Sequence, residues 1–220
     1  MRPEPRNASG WPRPALQAME SVWEHHGPRD IHAHVARPIV LQLAAAGAYT
    51  VLDIGCGNGW FTAGLDRCGF KVTGVDHSER DLRIAREHHP DLDFVRHDVT
   101  DPLVADLTGK FDAVVAIDLI DHLPLPRRLI ETGLQALKPG GILILTSPFH
   151  GYVKNLALAL TDRFDTRWDA LTDHSRIKFF SRSTLLSLCA EFDLHGLHFE
   201  TIGRVPMFAR AMLVSGRAPL

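Results

Sequence analysis

The sequence predicts a doubly wound α/β fold, and three stretches carry that prediction. Residues 50–59 (TVLDIGCGNG) form an apolar run that breaks into glycines and leads into a helical stretch from Trp60, the pattern of a buried strand, a tight turn and a helix start. Residues 71–75 form a second short apolar strand tipped by Asp76. Residues 111–117 (FDAVVAI) are almost continuously apolar, as a strand covered on both faces must be. Strands alternating with helices in the order β-α-β-α-β, β-α-β layer into a parallel sheet with helices on either side.

Each element follows from its residues. Residues 1–14 are rich in Pro and Arg with little to bury, which reads as a disordered tail ahead of a single domain over 15–220. Residues 15–26 suit a short helix ending near Gly27 and Pro28. A stronger helix follows over 31–46, where Ile31, Val35, Ile39 and Leu43 recur every four positions. Pro38 lacks the N–H that a helix interior uses and predicts a kink or a fresh start. The first strand spans 49–54, and Ser78 caps a helix over 79–88 after the second. Residues 92–96 read as a third strand, running into His97, Asp98 and Val99. After the fourth strand comes a helix over 126–137, stopped by Pro139 and Gly140 with Lys138 at its C-terminus, and then a fifth strand at 142–146. Residues 150–160 suggest an amphipathic helix with Leu156, Ala157 and Leu160 on one side. Residues 162–176 show no period, and an irregular loop of that length points to a function. A helix over 181–191, capped by Ser181, and strands at 194–202 and 207–214 close the chain.

Composition excludes several classes. At 220 residues, 45% hydrophobic and 23% charged, the chain suits one ordinary globular domain. A net charge of −2 supplies no field for nucleic acid. Cys56, Cys68 and Cys189 stand at no metal-ligand spacing and suit a reducing compartment. The first residues carry no apolar signal region, and no run reaches the ~18 apolar residues of a membrane span. The expectation is a cytoplasmic protein without stable membrane insertion, a monomer or a homodimer, acting on a small molecule.

The glycine turn points to a ligand. Gly55, Gly57 and Gly59 let backbone come close to it, because a Cβ would collide. Asp53 at the strand end offers carboxylate oxygens to a cationic or donor-bearing ligand, an odd choice for a phosphate loop. Asp76, with His77 beside it, ends the second strand, where such folds hold both ribose hydroxyls; the other reading makes Asp76 a helix cap. Arg37 is either a surface residue or a two-pronged contact for a ligand carboxylate.

The run D-I-G-C-G-N-G resembles the first motif of the class I S-adenosylmethionine-dependent methyltransferases, and K-P-G-G is a second mark of them. Narrower still, W-E-H-H-G at residues 23–27, Arg37, the D-L-I-D-H run and the H-x-x-I-K-F-F-S-R run from His174 resemble the ubiquinone-biosynthesis O-methyltransferases. The resemblance implies a seven-stranded sheet with an antiparallel last strand, and a helical lid on the substrate side over about residues 148–180. It implies S-adenosyl-L-methionine as cofactor, touched by Arg37, Gly55, Asp76 and Ile117, with Asp98 accepting from the adenine amino group and Val99 offering its backbone N–H. A family run that holds a divalent cation falls on Asp118, Asp121 and His122, with Asp in place of both Glu residues; the other reading is that the acids cap a turn and His122 lines the site. The reaction implied is methyl transfer to a hydroxyl of a small aromatic or quinol-like molecule. Transfer to nitrogen or carbon, or a SAM-binding accessory protein without turnover, are the alternatives. His122 and His150 follow central strands and are the general-base candidates. Phe149, Tyr152, Leu156, Leu158, Leu160, Phe164 and Trp168 read as a lid over a greasy or aromatic acceptor, the preferred reading, or as a patch that touches membrane to fetch a lipid quinol, with His174, Lys154 and Tyr152 as candidate acceptor contacts.

Overall fold

The computed structural model describes residues 30–163, 176–203 and 205–220. The tail over 1–14, the helix over 15–26, the W-E-H-H-G run, His174, Phe164 and Trp168 lie outside the described residues. The elements run α1 (Asp30–Ala46), β1 (Thr50–Ile54), α2 (Trp60–Arg67), β2 (Lys71–Asp76), α3 (Glu79–His88), β3 (Asp93–Arg96), β4 (Phe111–Ala116), α4 (Pro126–Ala136), β5 (Leu137–Pro148), α5 (Tyr152–Leu160), α6 (Arg182–Ala190), β6 (His195–Ile202) and β7 (Ala211–Arg217). A seven-stranded sheet has the order β3-β2-β1-β4-β5-β7-β6. β1 to β5 run parallel, while β7 pairs antiparallel with both β5 and β6. The last strand is therefore inserted inside the sheet, and β6 is left at the edge.

The period-2 pattern of the strands sorts the core. Leu52, Ile54, Val114, Leu143, Leu145, Met212 and Val214 point to one face, where Leu129 and Ile130 of α4 and Leu185 and Leu188 of α6 cover them. Val51, Val72, Ala113, Val115, Ile142, Ile144 and Leu213 point to the other, under Val35, Ile39 and Leu43 of α1 and Trp60, Phe61 and Leu65 of α2. α3 adds a satellite in which Leu82 and Ala85 pack on Phe94 and Cys56.

Four expectations need correction. α1 runs through Pro38 without a break. Val35, Ala36, Ile39 and Leu43 are all fully buried on either side of it, and that packing outweighs one lost helical hydrogen bond. The K-P-G-G run does not stop α4, which has already ended at Ala136. It is instead an irregularity inside β5, whose pairing jumps from Phe111↔Leu137 to Ala113↔Ile142. Lys138 reaches across it to Asp112 Oδ1 at 2.7 Å, and Asp112 Oδ2 accepts from the backbone N–H groups of Tyr49 and Thr50. Burial would raise the Asp112 carboxyl, but these donors hold it down at about 2. β7 begins at Ala211 rather than 207, because Pro206–Phe208 close a 3-10 turn. α5 buries none of its residues, and Tyr152, Leu156 and Leu160 are exposed. Among the described residues no helix is long and apolar enough to cross a membrane.

Candidate active site

The glycine turn sits at the C-terminal end of β1, in the middle of the parallel strands. Gly55, Gly57 and Gly59 all take left-handed backbone angles, with φ of 80°, 53° and 77°. The N–H groups of Gly55 and Cys56 both donate to the Val75 carbonyl, at 2.8 and 3.1 Å, which ties the turn to β2. The glycines serve different ends. A Cβ on Gly59 would stand 2.6 Å from Phe94 Cζ, so this glycine lets the helix start pack on α3 and β3. A Cβ on Gly57 would meet nothing within 4 Å. There the backbone faces open space, and it is the left-handed φ of 53° that calls for a glycine.

Asp76 crosses from β2 to that same point. Its Oδ2 accepts from the Gly57 N–H and its Oδ1 from the Ser78 N–H, each at 2.9 Å. Ser78 itself caps α3 by accepting from the Asp81 N–H, so the cap role does not fall to Asp76. A carboxylate has about four lone-pair sites, and two remain beyond these contacts. His77 places Nδ1 3.2 Å from Asp76 Oδ1 and is otherwise mostly exposed. Asp53 is not on the open side of the turn. It is 2% exposed beneath it, and the Thr62 hydroxyl donates to its Oδ2 at 2.7 Å. Burial pushes its carboxyl up to about 7, against the Thr62 hydrogen bond and with the Asp76 charge adding to the rise. Asp53 therefore braces α2 against β1.

The third-strand residues are part free and part engaged. Asp98 Oδ1 accepts from both the N–H and the hydroxyl of Thr100, which lowers its pKa. Val99 is buried and its carbonyl accepts from Thr132. His97, to which the sequence reading gave no role, is 6% exposed, its N–H donates to the Asp76 carbonyl, and its Nε2 has no hydrogen-bond partner among the described residues. Burial lowers its pKa and keeps it neutral. Ile117 packs half-buried against the α1 and α2 core. Arg37 is exposed on α1 and lines a groove of about 650 Å³ with Gln42, His198 and Arg217, a groove to which no residue of the glycine turn contributes.

Past β4 the chain turns sharply. Asp118 has φ of 48°, and its N–H and Oδ1 both meet the Thr146 hydroxyl of β5. Leu119 folds back over the glycine turn, within 2.9 Å of a Cβ built on Gly55. Asp121 is 1% exposed. Arg176 Nε lies 2.6 Å from its Oδ2, and His122 Nε2 lies 3.8 Å from the same oxygen. The Arg176 contact has ion-pair distance without hydrogen-bond alignment, so neither Asp121 oxygen has a well-directed donor among the described residues. Burial and the nearby Asp118 raise the Asp121 carboxyl to about 6, against Arg176 and His122. Ile177 and Lys178 both donate backbone N–H to the Asp121 carbonyl, which pins the segment after the 164–175 stretch to this turn.

The three residues of the suggested cation site do not fit an ion. Asp118 is turned to Thr146, Asp121 already faces a guanidinium, and among the described residues no group of three or more His, Cys, Asp or Glu is arranged to hold a metal. His150 stands edge-on to Phe179, with ring centroids 5.4 Å apart, and lines a cavity of about 640 Å³ with Tyr152, Leu186, Phe199 and Met207. Burial, then the charges of Lys154 and Arg176, lower its pKa to about 4. It stays neutral, but as a proton acceptor it is weak.

Residues 23–198 match the family model described as a methyltransferase domain. The ubiquinone biosynthesis O-methyltransferase of Xanthomonas oryzae is 35% identical over 134 residues, 57% of this chain and 55% of that protein. That of Caulobacter vibrioides is 33% identical over 145 residues, 64% of this chain and 57% of that protein. The chain thus matches little more than half the length of these curated relatives. Among solved structures, an S-adenosylmethionine-dependent methyltransferase from Mesorhizobium loti superposes with a TM-score of 0.60 at 22% identity, over 77% of this chain and 90% of that one.

Proposed function

The chain belongs to the methyltransferase-domain family, and from that premise we propose that it transfers a methyl group from S-adenosylmethionine to a hydroxyl of a small aromatic molecule. One observation carries the cofactor reading: at Gly57 an open, left-handed backbone meets the carboxylate of Asp76. Asp76 would hold the ribose hydroxyls of an adenosine there, and His97, Asp98 and Val99 would border its adenine. When bound, the sulfonium supplies an activated methyl carbon.

The residues beyond β4 then serve the acceptor. The hydroxyl gives its proton to an imidazole, its oxygen forms the new bond to the methyl carbon, and the carbon–sulfur electron pair stays on sulfur as S-adenosylhomocysteine. His122 is the better base, since the buried Asp121 carboxylate 3.8 Å from Nε2 steadies the imidazolium that forms. His150, neutral and apolar-packed, helps wall the cavity in which the acceptor lies. Positioning for in-line attack supplies much of the rate. Apolar Leu186, Phe199 and Met207 in that cavity favour an aromatic ring over a charged acceptor. The names of the curated relatives support transfer to oxygen.

The test is calorimetric and then chemical. The protein should bind S-adenosylhomocysteine at micromolar concentration, and a phenolic acceptor should gain one methyl by mass with an O-methyl resonance by NMR. Absence of both heat and thermal shift would remove the reading; an N- or C-methyl product would move it to the other acceptor class.

A further inference from the structure

The suggested cation site is filled from within the chain. Arg176 is held there from two directions, by the charge of Asp121 on its Nε and by the two backbone hydrogen bonds that clamp residues 177 and 178 to the Asp121 carbonyl. Asp121 is 1% exposed, and a carboxylate at that depth demands a fixed partner. Yet 29% of the Arg176 side chain remains accessible, and four of the five guanidinium N–H donors lie on its terminal nitrogens, beyond the edge that meets Asp121. His122 Nε2 lies 3.8 Å from the same Asp121 oxygen that Arg176 meets. A planar cation, part of its surface open, therefore stands on a buried acid beside the imidazole proposed as the base.

Resting on the methyl-transfer reading above, we infer that Arg176 is the resident cation of the acceptor site: anchored by Asp121, its guanidinium binds the acceptor oxygen as that oxygen gives up its proton. It takes the part that the resemblance assigns to a divalent ion. The asymmetry with Lys is physical, since a guanidinium keeps its charge when buried and offers a fork of donors to one oxygen pair.

The experiment uses the full chain loaded with S-adenosylhomocysteine and the probe 4-nitrocatechol, whose visible spectrum reports whether its hydroxyl is ionised. Cofactor-product binding is measured first; its failure would sink the methyl-transfer reading, independently of Arg176. With that binding in place, wild type should hold the probe as the phenolate, unchanged by EDTA, and added Mn²⁺ should find no saturable site. The Asp121→Asn/Arg176→Met pair removes both charges together, so no bare buried carboxylate is left. It should bind the probe about 10-fold more weakly or worse and as the neutral phenol, while Arg176→Lys should partly restore the ionised form. The inference is overturned if the double variant holds the phenolate as tightly as wild type, or if the loaded wild type does not bind the probe. It is equally overturned if Mn²⁺ occupies wild type and tightens the probe, an arm that requires no variant to fold.

Discussion

Replacing two neighbouring glycines by alanine separates packing from ligand approach. Gly57 and Gly59 share left-handed backbone angles, so alanine costs each about 1–2 kcal/mol of backbone strain. At Gly59 the new methyl would also sit 2.6 Å from Phe94 Cζ, 2.9 Å from Phe94 Cε1 and 3.0 Å from Ala85 Cβ. Phe94 is 8% exposed within the α3 satellite and has little room to yield, which adds about 1–3 kcal/mol of overpacking. Gly59→Ala should therefore destabilise by about 3 kcal/mol, or roughly 10 °C in Tm for a chain of this size. Gly57→Ala meets no atom within 4 Å and should cost only about 1 kcal/mol, roughly 3 °C. Its methyl would instead stand where the nucleoside comes down on the backbone, so affinity for S-adenosylhomocysteine should fall about 10-fold or more, equivalent to about 1.4 kcal/mol. Urea and thermal unfolding measure the first effect, titration calorimetry the second. The reasoning fails if Gly57→Ala binds like wild type, or if it loses as much stability as Gly59→Ala.

Other perturbations follow from the same site. Asp76→Asn keeps the side chain's size but gives up charge-assisted bonds to Gly57 and any ribose, and should weaken S-adenosylhomocysteine by about 10-fold or more in calorimetry. Asp53 has its pKa raised from 3.8 to about 7 by burial, so the stability it contributes is present below pH 4 and lost as pH rises through 7. Asp53→Asn should remove a pH dependence of about 4 kcal/mol across that window, read from denaturant unfolding at several pH values; parallel wild-type and variant profiles would contradict it. His122→Ala should lower kcat about 100-fold or more while leaving S-adenosylhomocysteine binding unchanged. An acid limb of kcat/KM near 4 would instead hand proton removal to His150, whose pKa lies there.

The sheet and its glycine turn were legible from residue order, because both rest on local rules. Alternation of period two assigns Leu52 and Val51 to opposite faces, as does the pattern of β4 and β5. The glycines and Asp76 could be read because the turn and the strand tip are built from neighbouring residues, joined by a crossover whose hand and place are general to the fold. Where the reading failed, a partner distant in sequence decided the matter. Lys138 looks like a helix terminus until Asp112 is seen beside it. Asp53 looks like a ligand contact until Thr62 is found underneath. Asp121 looks like a metal ligand until Arg176, far along the chain, arrives at 2.6 Å.

What the sequence alone determined is therefore the scaffold: seven strands, the glycine turn at the end of the first, and an acid closing the second. What only the tertiary structure decided is the electrostatic state of the site, meaning which carboxylates stand open, which are buried braces and which cation answers them. Periodicity and turn chemistry act over a few residues and leave a mark in local order. A buried charge is governed by whatever the fold brings within a few ångströms, and that neighbour can lie anywhere in the chain.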